Sequence, residues 1–311
     1  MSEDCVVNTK NRMLEIFSEL DEAEIDTIEQ WISSLSYRKD LEMKKSLQRS
    51  EKLLIDIGNA IKKIVPFDAE MPTENISPPT VGDQSDCNKN NTCHVDEFLY
   101  DDSEVEKLVK KGKLKRYYCT DCNSRNVQDL IYISHSMSRE RLQYIFKVLL
   151  PSDLEDKQIL DVGSRLGAVL YGAYQYSNAG TIVGIEMNKE CCDVQQRIIE
   201  QFLIDKNRVK VVHSDVMERS DLVANSDIII INVLDFFVDN EKHIEMWNFF
   251  KKHIKKGSYL VCNRNMADTL DNLGIFEELI QWLNICKPNQ LENEMIFDME
   301  DCSDIFLYTV N

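Results

Sequence analysis

Five short runs rich in Val or Ile punctuate the C-terminal half of the chain, at 158–162, 181–186, 209–215, 227–232 and 258–263. Between most of them apolar side chains recur every third or fourth residue, over 189–204, 240–255 and 268–283, which is a helical period. Strands that are apolar on both faces cannot front water, and the helices alternating with them supply the cover. The pattern predicts a parallel sheet packed on both sides. Two last runs, 293–298 and 305–310, have only a short polar turn between them. No parallel crossover fits in so few residues, so an antiparallel hairpin is expected there. The whole is expected to form an α/β domain over 138–311.

Upstream, 8–65 reads as helix. Met13, Ile16, Phe17 and Leu20 open an apolar stripe that Ile25, Ile28, Trp31 and Ile32 continue; Leu53, Leu54, Ile57, Ile61 and Ile64 form a second stripe after a charged stretch. A helical module of two or three helices is expected over 1–65, its stripe serving as core or docking face. Pro66 ends the pattern and is the first of four Pro in a stretch with few large apolar residues, so 66–92 reads as a flexible linker. A small Cys- and His-bearing segment fills 93–137.

No apolar run approaches the ~20 residues that span a bilayer. The opening MSEDCVVNTKNR shows no apolar core of a secretory signal. A cytoplasmic or nuclear chain with no membrane partner is expected, and its ten Cys then read as reduced thiols or metal ligands rather than a disulfide framework. With 36 Lys and Arg against 54 Asp and Glu, the net charge is −18. That disfavours binding by broad phosphate neutralisation, and suits a basic protein partner or plain solubility.

Chemistry is expected where the first strand runs into Asp161-Val162-Gly163-Ser164-Arg165-Leu166-Gly167, because ligands of open α/β sheets bind at the carboxyl ends of the strands where the chain order reverses. Glycine lets a backbone turn tightly and approach a ligand. The second strand ends in Glu186, a carboxylate able to accept both hydroxyls of a ribose; the third ends in Ser214-Asp215, placed to face an adenine amino group. The fourth ends in Asn232, where a substrate would meet the cofactor.

Asp161-x-Gly163-x-x-x-Gly167, Gly184-Ile185-Glu186 and Ser214-Asp215, with the terminal hairpin, resemble a class I S-adenosylmethionine-dependent methyltransferase over 138–311, about half the chain. The run from Asp161 to Tyr176 followed by Gly184-Ile185-Glu186 is also similar to the first motif of the non-SET histone-lysine methyltransferases. The stretch from HVDEFLYDD through YYCTDC and ISHSMS to DVGSRLGAVL resembles a eukaryotic family of methyltransferase-domain proteins with no assigned substrate. The resemblance implies a Rossmann-like, seven-stranded methyltransferase sheet and S-adenosylmethionine as cofactor. Asp161, Gly163 and Gly167 would line its methionine part, Glu186 its ribose and Asp215 its adenine. Ser164, Met187, Val216 and Asn232 complete the expected cofactor-binding set. Arg165 stands where the family usually has glycine; so long a side chain can face solvent, contact a carboxylate or crowd the cofactor. Methyl transfer from a sulfonium needs alignment and exclusion of water more than a base. Asn232 to orient an acceptor and Asp235 as a base are the catalytic candidates, each with strand-end or helix-capping roles as the alternative. Phe236 and Phe237 line an acceptor pocket or belong to the core.

Outside the sheet, Cys119 and Cys122 form a C-x-x-C knuckle, a spacing that lets two thiolates reach one tetrahedral ion. With His94 and His135 they would make a zinc site, with Cys87 and Cys93 as competing ligands; the alternative is a pair of reduced thiols, with His135 capping a helix. Lys107, Lys110, Lys111, Lys113, Lys115 and Arg116 form a basic stretch that either holds RNA or an acidic partner or is a solvated face. The function expected is methyl transfer to a macromolecule, protein before RNA. A catalytically silent scaffold of the same fold is the alternative, and a nicotinamide-dependent oxidoreductase fits poorly because the glycines do not follow G-x-G-x-x-G.

Overall fold

The structure, a computed structural model, describes residues 3–76, 87–88, 90–120, 126–232, 234, 236–290 and 302–311. The chain falls into two compact units, Met1–Lys52 and Leu53–Asn311. In the first, α1 (Glu3–Phe17) and α2 (Glu22–Ser33) precede α3 (Ser36–Ile61). A reciprocal capping box starts α2: Asp21 accepts from the Glu24 N–H, and Glu24 accepts from the Asp21 N–H, both at 2.9 Å. The expected stripe is present but largely uncovered, with Met13, Ile16 and Trp31 all exposed.

In the second unit the end of α3 buries Leu54, Ile57 and Ile61 completely. Short elements follow: β1 (Thr92–His94), α4 (Asp102–Lys110), β2 (Tyr117–Cys119), β3 (Val127–Asp129), β4 (Ile131–Ile133) and α5 (Arg139–Tyr144). Strands β1 and β4 pair in parallel, β2 and β3 antiparallel. The residues expected as a free linker are in part docked: Ala69 is completely buried, and Asp68, Thr73 and Glu74 bond to distant segments. Polar partners far along the sequence hold them, which composition alone does not reveal.

The remainder alternates: β5 (Gln158–Val162), α6 (Ala168–Tyr176), β6 (Thr181–Glu186), α7 (Lys189–Gln201), β7 (Val209–His213), α8 (Ser220–Asn225), β8 (Ile228–Ile231), α9 (Asn240–His253), β9 (Tyr259–Cys262), α10 (Met266–Asn272), α11 (Phe276–Leu279), β10 (Leu283–Ile285) and β11 (Phe306–Val310). The seven strands lie in the order β10-β11-β9-β8-β5-β6-β7. Strands β5 to β9 are parallel, while β11 runs antiparallel to both β9 and β10. The four isoleucines of β8 are all buried, each contributing roughly 1.5–3 kcal/mol. Trp247 and Phe250 of α9 are likewise buried in the core against the sheet.

The run 293–298, expected as the first strand of the terminal hairpin, lies outside the described residues; among the described residues β11 pairs antiparallel with β10, Leu283 opposite Val310 and Ile285 opposite Tyr308. The helix expected over 268–283 is broken after Asn272, because Gly274 takes φ +71° and turns the chain before α11. Among the described residues no helix is long and apolar enough to cross a membrane.

Candidate functional site

Strand β5 is flanked by β6 on one side and β8 on the other, so chain order reverses at its carboxyl end, the place where open α/β sheets form their ligand crevice. The loop leaving β5 turns through three left-handed residues, Gly163 at φ +73°, Arg165 at +44° and Gly167 at +88°. The Gly163 and Ser164 N–H groups both donate to the Ile185 carbonyl, at 2.9 and 3.1 Å, tying this loop to β6. Gly167 is obligatory, since a Cβ there would lie 2.7 Å from Tyr171 Oη; a Cβ on Gly163 would meet open space. That opening is where a ligand can approach the backbone.

Two carboxylates face each other at the strand ends. Glu186 accepts the Arg165 N–H at 2.8 Å with one oxygen and the Asn188 N–H at 2.7 Å with the other. Burial still raises its carboxyl above the ordinary range, against the pull of those donors. Asp161 is 2% exposed and its carboxylate has no hydrogen-bond partner among the described residues. Burial, with Glu186 beside it, holds that carboxyl well above the usual carboxylate range.

The other expected site residues divide. Ser164 Oγ donates to Gln195 Oε1 at 3.0 Å, so its hydroxyl braces the loop from beneath. Gln195, completely buried on α7, completes the brace by donating from Nε2 to the Arg165 carbonyl at 2.7 Å. Sequence reading passed over Gln195, whose only signal is an amide on the apolar face that Cys191, Val194, Ile198 and Ile199 define. Met187 is 70% exposed and offers its carbonyl to His213 Nε2. Asp215 caps the following turn by accepting the Met217 N–H at 2.9 Å with one oxygen, while Val216 packs into the core. Asn232 Nδ2 donates to the His135 carbonyl at 3.1 Å, and Asp235 lies outside the described residues.

Arg165 contacts carboxylates. Its Nε donates to Glu74 Oε1 at 2.7 Å, Nη2 to Glu74 Oε2 at 3.3 Å and to the Ala69 carbonyl, and Nη1 to Asp96 Oδ2 at 3.2 Å. Arg165, Glu74 and Asp96 all have buried side chains. Burial opposes the charge, and the two carboxylates outweigh it, so the guanidinium stays protonated.

The zinc expectation gains no support. His94 Nδ1–H donates to the Asp68 carbonyl and Nε2 accepts the His135 N–H at 3.2 Å, so neither nitrogen is free to bind a metal. His135 stacks on His94 with ring centroids 4.5 Å apart and has no partner at either ring nitrogen among the described residues; burial, then His94, push its imidazole down to about 2. Cys119 is exposed, Cys122 lies outside the described residues, and among the described residues no three metal-binding side chains cluster.

The sheet decides the class. Counted along the chain from β5, its strands lie in the order 3-2-1-4-5-7-6 with the seventh antiparallel. This is the class I methyltransferase fold. No protein-family profile matches the sequence, and no curated protein is similar to it. Among solved structures the chain is similar to a Streptococcus mutans protein assigned to the S-adenosylmethionine-dependent methyltransferases, with 14% identity over 55% of this chain and 47% of that one and a TM-score of 0.39. It is similar to an O-methyltransferase from Bacillus cereus in complex with S-adenosylhomocysteine, with 15% identity over 58% and 84% and a TM-score of 0.37. An RNA methyltransferase from Salinibacter ruber gives 15% identity over 40% and 72%, with a TM-score of 0.32. The chain matches about half the length of the first of these. Strand order, rather than these alignments, defines the fold.

Proposed function

We propose that the protein is an S-adenosylmethionine-dependent methyltransferase acting on a macromolecular acceptor. The observation that carries the reading is the unpaired, buried Asp161 carboxylate beside Glu186, at the open turn of Gly163. S-adenosylmethionine brings an ammonium and a sulfonium for such a pair, ribose hydroxyls for Glu186, and a methyl group already activated for transfer. Asp161 would meet the positive end and Glu186 the ribose, while Asp215 would take the adenine amino group. Asn232 stands at the end of β8, the acceptor side of the crevice. The chain's own work is then alignment and the exclusion of water.

Protein is preferred to RNA as acceptor because the net charge is −18. Transfer of labelled methyl into a cell extract, followed by protease or nuclease digestion, tests this; label lost to nuclease alone contradicts it. Isothermal titration with S-adenosylmethionine and S-adenosylhomocysteine tests the cofactor. Glu186→Ala should weaken binding at least tenfold, since a hydrogen bond to a charged group is worth about 1.5–3 kcal/mol. The Arg165 network across the crevice favours the second reading, a silent scaffold. Absence of heat from either ligand at high protein concentration would establish it.

A further inference from the structure

Residues 68–74 are held almost wholly by polar contacts, and those contacts bridge the two loops that leave β5 and β6. On the β5 side, Glu74 and the Ala69 carbonyl take Arg165. On the β6 side, Thr73 Oγ1 accepts from Asn188 Nδ2 at 2.8 Å and donates to Glu190 Oε2 at 2.7 Å. Asp68 gives its carbonyl to His94, and the Met71 N–H closes on Glu74 at 2.6 Å. Ala69 is the only fully buried residue among 66–76, so little apolar surface anchors the segment. Such segments sit at the low-stability end of a fold and open locally.

What pins it is one guanidinium between two carboxylates. Asp96 is itself fixed, accepting the Phe98 and Leu99 N–H groups at 3.1 Å and Ser136 Oγ at 2.6 Å, and is completely buried. Arg165 holds this position at φ +44°, a conformation that favours glycine. The same residue donates its N–H to Glu186. Backbone and side chain of Arg165 therefore join the strap to the carboxylate assigned to the ribose.

We propose that Arg165 is a positioning residue that latches residues 68–74 as a roof over the ribose end of the crevice, so that cofactor exchanges only when the latch opens. The cofactor's identity rests on the function proposed above; the latch does not.

Hydrogen exchange on the ligand-free protein tests the latch alone. Glu74→Ala and Arg165→Gly should each speed exchange of the 69–74 amides by about 100-fold or more, the equivalent of breaking a buried ion pair, while the amides of β5 and β6 keep their protection. Glycine suits the backbone at 165, so that variant keeps the fold. Exchange unchanged from wild type, or lost equally throughout the sheet in both variants, overturns the latch. Stopped-flow mixing with S-adenosylhomocysteine tests the roof. The wild-type association rate should level off as ligand increases, and Arg165→Gly should remove the plateau; a linear wild-type rate overturns the roof. If neither wild type nor variant binds the ligand, the cofactor reading and the roof both fall, while the exchange result still decides the latch.

Discussion

Replacing Asp161 with Asn should make the ligand-free protein more stable and the cofactor site weaker. The carboxylate is buried with no donor, and its folded pKa is raised, first by burial and then by Glu186. A raised carboxyl keeps its proton in the folded state over a pH range in which the unfolded chain has lost it. The folded state then binds more protons, so stability falls as pH climbs from the unfolded value, about 3.9, through the folded one. Above that window the full penalty of an unpaired buried group is present, about 1–3 kcal/mol and more for a charge. A domain of this size shifts by about 2–4 °C per kcal/mol, so Asp161→Asn should raise Tm by roughly 2–12 °C near neutral pH. The gain should shrink as pH falls towards 4, where both side chains are neutral. Thermal unfolding of wild type and variant between pH 4.5 and 8 measures this, and titration with S-adenosylhomocysteine should show weaker binding to the variant. A lower Tm for the variant, or a difference constant across pH, would refute the reasoning, because either means the carboxylate has a stabilising partner.

Gln195→Leu removes the brace beneath the cofactor loop and strands the Arg165 carbonyl and Ser164 hydroxyl. It should lose about 1–3 kcal/mol in urea unfolding and weaken S-adenosylhomocysteine binding; full stability would show that the loop holds itself. His94→Ala should leave the zinc content of purified protein unchanged, because both ring nitrogens are engaged elsewhere. Elemental analysis showing zinc lost on that substitution would contradict the assignment.

The parallel strands were legible because burial on both faces forces them to be apolar, and Ile228–Ile231 could belong to nothing else. The turn at Gly163 and Gly167 was legible because left-handed backbone demands glycine. Residues 68–74 were not, since their anchors are polar groups 26 to 117 residues away along the chain, from His94 to Glu190. Arg165 was readable as a departure, but its partners were not, because neither Glu74 nor Asp96 stands in a periodic pattern. The helix expected over 268–283 failed at Gly274, a single residue whose φ of +71° overrides the apolar period around it.

A crystal structure of the protein with S-adenosylhomocysteine tests the central claim most directly. The ligand should lie at the carboxyl ends of β5 and β6, with its ammonium towards Asp161 and its ribose hydroxyls on Glu186. Ligand bound elsewhere, or those carboxylates left empty at saturating concentration, would contradict it.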